Sequence, residues 1–316
     1  MSLSPIPTPT PRRHTPPVPA EDLRVEGIDG PVQLRRAEGG YLQVWPRPTP
    51  EALTRLYTEQ FYEEDKSSYL SDMETERPYW DAIWTLRRRM IEDALPHERR
   101  RLLDVGSSGG FLLDHFQQQG WQASGIEPSP HAAAFARDHY DLDVFCGDLL
   151  DFRLPASSAR FDAIHSAQVL EHVLEPEACV ARIAELLAPD GVVFIEVPND
   201  FNVFQEVARR QLDKPAWWVA PDHHLNYFDY DSLSSLLARH GLEEVDRVAS
   251  FPMEIFLLMG DDYVGRPDAG KAAHGRRMTF ERTLIEHGRL DELGAFYRAL
   301  AQAGLGRTCG LLARKR

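Results

Sequence analysis

Short apolar runs that alternate with amphipathic helical segments constrain the fold of this chain more than any other feature. The runs are Leu102–Val105, Ala123–Ile126, Val144–Cys146, Phe161–His165 and Val192–Val197. The helical patterns between them are Phe111–Gln119, Pro130–His139 and Cys179–Leu187. Strands that alternate with helices form βαβ units and hence a parallel sheet with helices on both faces. The sequence therefore predicts an α/β fold with a doubly wound, Rossmann-like sheet.

The regions on either side divide the 316 residues into four parts. Residues 1–20 carry seven prolines and predict a disordered tail. Residues 21–99 predict short strands and then a helical cap, which starts near Thr49-Pro50. Residues 100–250 form the predicted core, with an aromatic-rich connection at 200–228 that would act as a lid or pack as core. Residues 251–316 predict a helical region and a final strand near Arg307–Ala313.

Charge and cysteine content restrict the classes of partner and compartment. The chain has 35 basic and 49 acidic residues, a net charge of −14, which disfavours nucleic acid as a partner. The three cysteines are far apart, as in a reducing compartment. The sequence shows neither an apolar run long enough to span a membrane nor a secretory signal. We therefore expect a cytoplasmic protein that does not bind membranes.

A candidate nucleotide site follows from three consecutive strand ends. After the first run comes a glycine-rich turn that contains Gly106, Ser107, Ser108 and Gly110. Glu127 ends the second run, where a carboxylate can accept both hydroxyls of a ribose; an acid favoured by the following helix dipole is the alternative. Asp148 follows the third run, where it either receives an adenine amino group or forms an ordinary Gly-Asp turn.

Together with two later motifs, these residues resemble the class I S-adenosylmethionine-dependent methyltransferase family. The later motifs are the stretch from Phe161 to Val173, which includes a strand and the helix expected after it, and the stretch from Leu187 to Val192, which includes a turn at Pro189-Asp190-Gly191. The resemblance implies S-adenosyl-L-methionine as cofactor. It implies that Asp104 and the glycine turn hold the methionine part, Glu127 the ribose and Asp148 the adenine. The full set of implied cofactor residues is Asp104, Gly106, Ser107, Ser108, Gly110, Phe111, Glu127, Pro128, Asp148, Leu149 and Gln168.

Three other functions compete with a small-molecule methyltransferase. An NAD(P)-dependent oxidoreductase is disfavoured because the glycines fall as G-x-x-G-G rather than G-x-G-x-x-G. A tRNA-modifying methyltransferase would need a basic groove on an acidic protein. A non-catalytic module that only binds the cofactor would lack an acceptor pocket.

Two histidines are candidates for the base that an oxygen nucleophile needs, namely His172 and His224. His224 lies in Pro221–Phe228, which resembles an element of small-molecule O-methyltransferases. For each histidine, a role in fixing a loop by hydrogen bonds is the alternative. Trp218, His223 and Tyr227 are candidate substrate contacts. Glu171, His172 and His224 could bind a metal ion, but no ligand spacing demands one, and we predict no metal site.

A fainter resemblance concerns the acceptor. Segments such as Trp45–Leu53 are similar to those of bacterial methyltransferases associated with polysaccharides, and the core is similar to ubiquinone-biosynthesis-type enzymes. In the first group a zinc ribbon precedes this segment, but here no cysteine precedes Cys146. We expect O-methylation of a sugar-like or other hydroxylated metabolite. The sequence leaves the oligomeric state, including a homodimer, open.

Overall fold

The computed structural model of the chain describes residues 22–49, 69–96, 98–155 and 157–316. The predicted tail at 1–20 and the first part of the predicted helical cap, at 50–68, lie outside these ranges. The strands are β1 (Asp22–Gly27), β2 (Gly30–Arg36), β3 (Leu42–Val44), β4 (Arg101–Val105), β5 (Gln122–Glu127), β6 (Asp143–Cys146), β7 (Phe161–Ala167), β8 (Leu187–Pro198), β9 (Asn226–Tyr227), β10 (Leu242–Ala249) and β11 (Thr308–Lys315). The helices are α1 (Tyr69–Thr75), α2 (Arg77–Asp93), α3 (Phe111–Gln118), α4 (Pro130–Tyr140), α5 (Pro176–Leu186), α6 (Val203–Gln211), α7 (Tyr230–Arg239), α8 (Glu254–Leu258), α9 (Pro267–Glu286) and α10 (Leu290–Gln302).

A seven-stranded sheet with the order β10-β11-β8-β7-β4-β5-β6 forms the centre of the fold. The five strands from β8 to β6 are parallel, and they coincide with the five apolar runs of the sequence. Helices α2, α3, α4 and α10 cover one face, and α5 and α7 cover the other. The predicted α/β doubly wound fold is thus confirmed. The strand order reverses between β4 and β7, and ligands of such sheets bind at that point.

The final strand completes this sheet rather than a separate unit. β11 lies between β8 and β10 and is antiparallel to both. The helical character expected for residues 253–303 is present in α8, α9 and α10. The core that the sequence placed at 100–250 therefore needs residues 308–315 for its continuity.

Two local expectations from the sequence were wrong in detail. The expected turn Pro189-Asp190-Gly191 lies inside β8, where the pairing with β7 jumps from Leu187 to Val192. The stretch Val169–Val173, expected to begin a helix, is a turn, and α5 begins at Pro176. The reason is that the backbone carbonyls of this turn accept hydrogen bonds from outside it. The side-chain amide of Asn226 donates to the carbonyls of Leu170 and Val173 at 2.8 and 2.7 Å.

The aromatic connection at 200–228 packs against a small N-terminal sheet. This sheet has the order β1-β2-β3-β9, so β9 of the connection supplies its last strand. Trp218 and Tyr227 are buried in a cluster with Leu34 and Val44 of β2 and β3. Of the two interpretations of these aromatics, core packing describes both side chains. Among the described residues, no helix combines the length and the apolar character that crossing a membrane requires.

Helix α6 inside this connection is fixed by a capping box. Asn202 Oδ1 accepts from the backbone N–H groups of Phe204 and Gln205, and Gln205 Oε1 accepts from the N–H of Asn202. We expect Asn202→Ala to lower the free energy of unfolding by about 1 kcal/mol, because those N–H groups lose their acceptor. Denaturant unfolding measures the change. Arg210→Ala on the exposed side of α6 is the matched control, and equal effects of the two variants would contradict the assignment.

Candidate active site

The turn after β4 is held in a conformation that brings its backbone close to β5 and β7. Gly106, Ser108 and Gly110 have φ angles of 79°, 50° and 80°. A Cβ at Gly106 would lie 2.5 Å from Cγ2 of Val169, so this position requires glycine. The turn after β7, which contains Val169, therefore packs directly on the glycine-rich turn.

Ser108 stands where the family commonly has a glycine, and its positive φ explains why. A left-handed conformation costs a residue with a Cβ roughly 1–2 kcal/mol. The backbone N–H of Ser108 donates to Glu127 Oε2 at 2.8 Å, a charge-assisted bond that offsets this cost. The departure from the family pattern thus leaves the turn intact.

Glu127 ends β5 with its carboxylate fixed at both oxygens. Oε2 accepts from Ser108 N, and Oε1 accepts from Ser129 N at 2.8 Å. Each oxygen keeps a second lone pair, so the group can still accept two hydroxyls. Burial raises the pKa of Glu127 to about 7, since the lowering effect of the two N–H donors is outweighed and the nearby Asp104 carboxylate raises the pKa further. The geometry fits the predicted ribose contact.

Asp104, at the carboxyl end of β4, is paired with a histidine that sequence reasoning did not single out. His165 Nδ1 lies 2.7 Å from Asp104 Oδ1, and both side chains are buried. Tyr69 of α1 was also missed, because no motif marks it. Its side chain is hydrogen-bonded to Ser108. Burial raises the pKa of Tyr69; the bond to Ser108 lowers it, and the charges of Glu127 and Asp104 raise it. These two acids and Tyr69 thus surround the glycine-rich turn.

The other predicted cofactor residues differ in what they can contact. Asp148 is exposed after β6, and its Oδ1 accepts from Leu150 N at 2.7 Å, as in an ordinary turn. Leu149 is buried, Pro128 is partly buried, and Gln168 is exposed. Phe111 packs into the core between the rings of Phe135 and Tyr140. Only the backbone of Phe111 lies at the turn, so its side chain is part of the helix packing.

The two candidate catalytic histidines lie together although 52 positions separate them. The rings of His172 and His224 are 5.1 Å apart and nearly perpendicular. His172 Nδ1 lies 2.7 Å from the carbonyl oxygen of His223. A carbonyl only accepts, so Nδ1 carries the hydrogen, and in the neutral ring Nε2 is the nitrogen that accepts. The side chain of His223, a predicted substrate contact, is exposed.

A buried carboxyl group lies beside this histidine pair. Glu171 is fully buried, and its Oε1 is 3.7 Å from His172 Nε2. Burial raises the pKa of Glu171 well above its ordinary value. Its carboxyl oxygens have no hydrogen-bond partner among the residues that the structure describes. One ligand-type atom from each of Glu171, His172 and His224 lies within 4.8 Å of the others, a grouping of donor types that transition metals accept.

Hydrogen bonds from Arg47 connect distant segments of the chain to the turn that follows His172. Arg47, just after β3, donates from Nη1 to Asn226 Oδ1 at 3.0 Å and to the carbonyl of Leu225 at 3.1 Å. Its Nη2 donates to the carbonyls of Val173 and Leu174. Asn226 is itself fully buried and binds the same turn. The N-terminal sheet is thereby tied to the segments that carry His172 and His224.

Comparison with known proteins identifies the family to which this site belongs. Residues 79–247 match the methyltransferase domain family. The chain therefore belongs to that family. One similar solved structure is that of an S-adenosylmethionine-dependent methyltransferase from Archaeoglobus fulgidus, with a TM-score of 0.50 and 15% sequence identity. The similarity covers 78% of this chain and 99% of that one. This likeness concerns the fold.

Curated relatives match the core over part of their length. A ubiquinone biosynthesis O-methyltransferase of Cereibacter sphaeroides is 29% identical over 167 residues, which is 50% of this chain and 66% of that protein. One of Xylella fastidiosa is 34% identical over 125 residues, which is 37% of this chain and 50% of that protein. The match thus spans about half to two thirds of these relatives. The prediction of a class I methyltransferase that uses S-adenosylmethionine is confirmed at the level of the family.

Proposed function

We propose that this protein transfers a methyl group from S-adenosylmethionine to a hydroxyl oxygen of a small-molecule acceptor. The observation that carries the proposal is the orientation of His172. Its Nδ1 hydrogen-bonds to the His223 carbonyl, so Nε2 is the ring nitrogen that can take a proton. The turn that bears it packs on the glycine-rich turn through Val169 and Gly106, so the base and the cofactor loop are neighbours.

The residues around the glycine-rich turn suit the cofactor. Asp104 and Glu127 are two buried acids, and together they complement a ligand with ribose hydroxyls, an ammonium group and a sulfonium group. When bound, the cofactor supplies an already activated methyl group, so the protein mainly aligns the acceptor and excludes water. Asp148 is proposed to meet the adenine, since it is exposed at the next strand end.

On the acceptor side, His172 takes the proton of the hydroxyl as the methyl group is transferred. Glu171 lies next to Nε2, so a positive charge on the imidazole has a carboxyl group beside it. His224 contacts the ring of His172 and restricts its rotation. The relatives named for ubiquinone biosynthesis methylate oxygen, and this supports a hydroxylated acceptor, for which a sugar-like compound or a phenol is proposed.

The net charge of −14 supports a small molecule over a tRNA. The three free cysteines support a cytoplasmic location. The function is tested by incubating the protein with methyl-labelled S-adenosylmethionine and panels of phenols, sugar nucleotides and bulk tRNA. Label that appears in a hydroxylated small molecule supports the proposal. Label in tRNA alone, or calorimetric binding of NADH in place of S-adenosylhomocysteine, overturns it.

The raised pKa of Glu127 predicts a pH dependence of cofactor binding. In the free protein this pKa is about 7, so the carboxyl is mostly protonated at pH 6 and ionised at pH 8. Only the ionised form accepts both ribose hydroxyls. Affinity for S-adenosylhomocysteine should therefore rise with pH and be about tenfold weaker at pH 6 than at pH 8. Isothermal titration calorimetry measures it. The control is Glu127→Gln, which should bind with little pH dependence, and the same slope in that variant would contradict the assignment.

The raised pKa of Glu127 also changes how the stability of the folded protein depends on pH. Since the folded-state pKa of Glu127 lies above the unfolded value of 4.5, the folded protein holds a proton that the unfolded chain releases between those two values. This group therefore stabilises the free protein at low pH, and its contribution is lost as the pH rises through 7. The protein thus keeps an ionised acid at this position at a cost in stability, as is common where an acid serves ligand binding.

A further inference from the structure

A buried chain of polar side chains connects the acid at the end of β4 to helix α2. His165 Nδ1 lies 2.7 Å from Asp104 Oδ1, and Arg87 Nη1 lies 3.4 Å from His165 Nε2. Arg87 Nη2 also donates to Glu196 Oε1 at 2.6 Å. The four side chains expose between 4% and 13% of their surface. The methyltransferase motifs in the sequence include Asp104 but give no role to the other three.

The hydrogen-bond partners of the two ring nitrogens determine which nitrogen of His165 carries the hydrogen. A guanidinium group only donates hydrogen bonds, and an ionised carboxylate only accepts them. Nε2 therefore accepts from Arg87, and Nδ1 carries the hydrogen that it donates to Asp104. The hydrogen bonds thus run in one direction, from the arginine through the imidazole to the acid, and each polarises the next.

The sheet and one aromatic ring fix the imidazole in place. Asp104 and His165 are paired residues of the neighbouring strands β4 and β7. The ring of His165 stacks on Phe194 of β8 with centroids 5.4 Å apart and planes 8° apart. The guanidinium of Arg87 lies 5.4 Å from the centroid of the Phe194 ring. His165 can therefore neither rotate away from Asp104 nor exchange the roles of its two nitrogens.

These four polar side chains occupy a buried space between the sheet and helix α2 that apolar side chains could fill. Buried ion pairs often stabilise a protein less than apolar side chains of the same volume would. This chain ends at the point of the sheet where the strand order reverses, and the charge of Asp104 acts on both Tyr69 and Glu127 beside the glycine-rich turn. The arrangement serves to place one carboxylate there.

We propose that His165 is a positioning residue for the cofactor and that it acts through Asp104. By binding one carboxylate oxygen, it directs the other toward the amino-acid part of the cofactor, whose ammonium group that oxygen receives. Arg87 and Glu196 hold His165 in the tautomer that donates to Asp104. The inference rests on the proposed function, since it assumes that S-adenosylmethionine binds at this turn.

Two ligands that differ only in the amino-acid part test the proposal by calorimetry. S-adenosylhomocysteine carries that part, and 5′-methylthioadenosine lacks it. His165→Phe keeps a stacked ring but loses the donor to Asp104. We expect it to weaken S-adenosylhomocysteine about tenfold or more and to leave 5′-methylthioadenosine unchanged. His165→Asn, whose amide nitrogen falls near the Nδ1 position, should recover most of the affinity. If the Phe variant does not fold, His165→Gln, which lacks a donor at that position, carries the same prediction.

A double-mutant cycle tells whether the effect passes through the acid. Asp104→Asn alone should show the same selective loss, and adding His165→Phe to it should cost little more. Equal losses for the two ligands, or losses that add in the double variant, would overturn the positioning role. A wild-type protein that binds neither ligand would instead refute the proposed function, so the two failures can be told apart.

Discussion

Replacing His172 by alanine is expected to reduce the turnover number about 100- to 10,000-fold once an acceptor is known, while the KM for S-adenosylmethionine stays near its wild-type value. The loss follows from removing the ring whose Nδ1 hydrogen-bonds to the His223 carbonyl and whose Nε2 is proposed to take the proton. The measurement is the rate of label transfer as a function of pH.

Two controls separate this prediction from its alternatives. His287→Ala removes an exposed histidine whose ring hydrogen-bonds to the carbonyl of Thr283, and it should leave turnover unchanged. Dialysis against a chelator should also leave turnover unchanged, because the proposal assigns His172 to proton transfer and has Glu171 and His224 beside its ring. Activity that disappears with the chelator and returns with a divalent ion would reassign these three groups to a metal. Near-normal turnover of His172→Ala would leave the histidine as a structural residue.

Glu127→Ala is expected to weaken S-adenosylhomocysteine about ten- to a hundredfold, the second largest effect. The ribose would lose its hydrogen bonds to the carboxylate, and the N–H groups of Ser108 and Ser129 would lose their acceptor. Calorimetry of wild type and variant gives the ratio of dissociation constants. Because 5′-methylthioadenosine also carries the ribose, its affinity should fall by a similar factor, in contrast to the selective loss expected at His165.

The matched control is Glu92→Gln, which changes an acid on α2 that pairs with Arg88 away from the turn. Its affinity for both ligands should equal that of the wild type. A wild-type dissociation constant in Glu127→Ala would mean that this carboxylate only ties β5 to the glycine-rich turn. The ribose would then have to be held by other groups, such as Tyr69, whose side chain is hydrogen-bonded to Ser108 of the same turn.

Strands β4 and β8 could be predicted from the sequence because most of their residues are buried and apolar. The glycine-rich turn and Glu127 were found for a similar reason, since a strand end and a short spacing locate them without knowledge of the tertiary structure. Both features are local in the chain. The final strand was also predicted as a strand, but its place beside β8 depends on pairing across more than a hundred residues, which no local pattern encodes.

The parts of the site that were missed are contacts between distant segments. His165 was included only as a strand residue, because its role depends on the register between β4 and β7. Arg47 and Asn226 are separated by 179 positions, and each occurs in a motif that was noted for other residues. The turn at Val169–Val173 was expected to be helical from its sequence, whereas in the structure the distant Asn226 side chain binds two of its carbonyls.

The insertion of β11 between β8 and β10 has a consequence for how the chain reaches its native state. During synthesis, β8 and β10 emerge from the ribosome well before residues 308–315, and until then each exposes an unpaired edge. Open strand edges are templates for association with other chains. The partly made protein therefore passes through a stage in which chaperones have an edge to protect. Even when strands β4 to β8 have already paired, the insertion of β11 between β8 and β10 is one of the last events of folding.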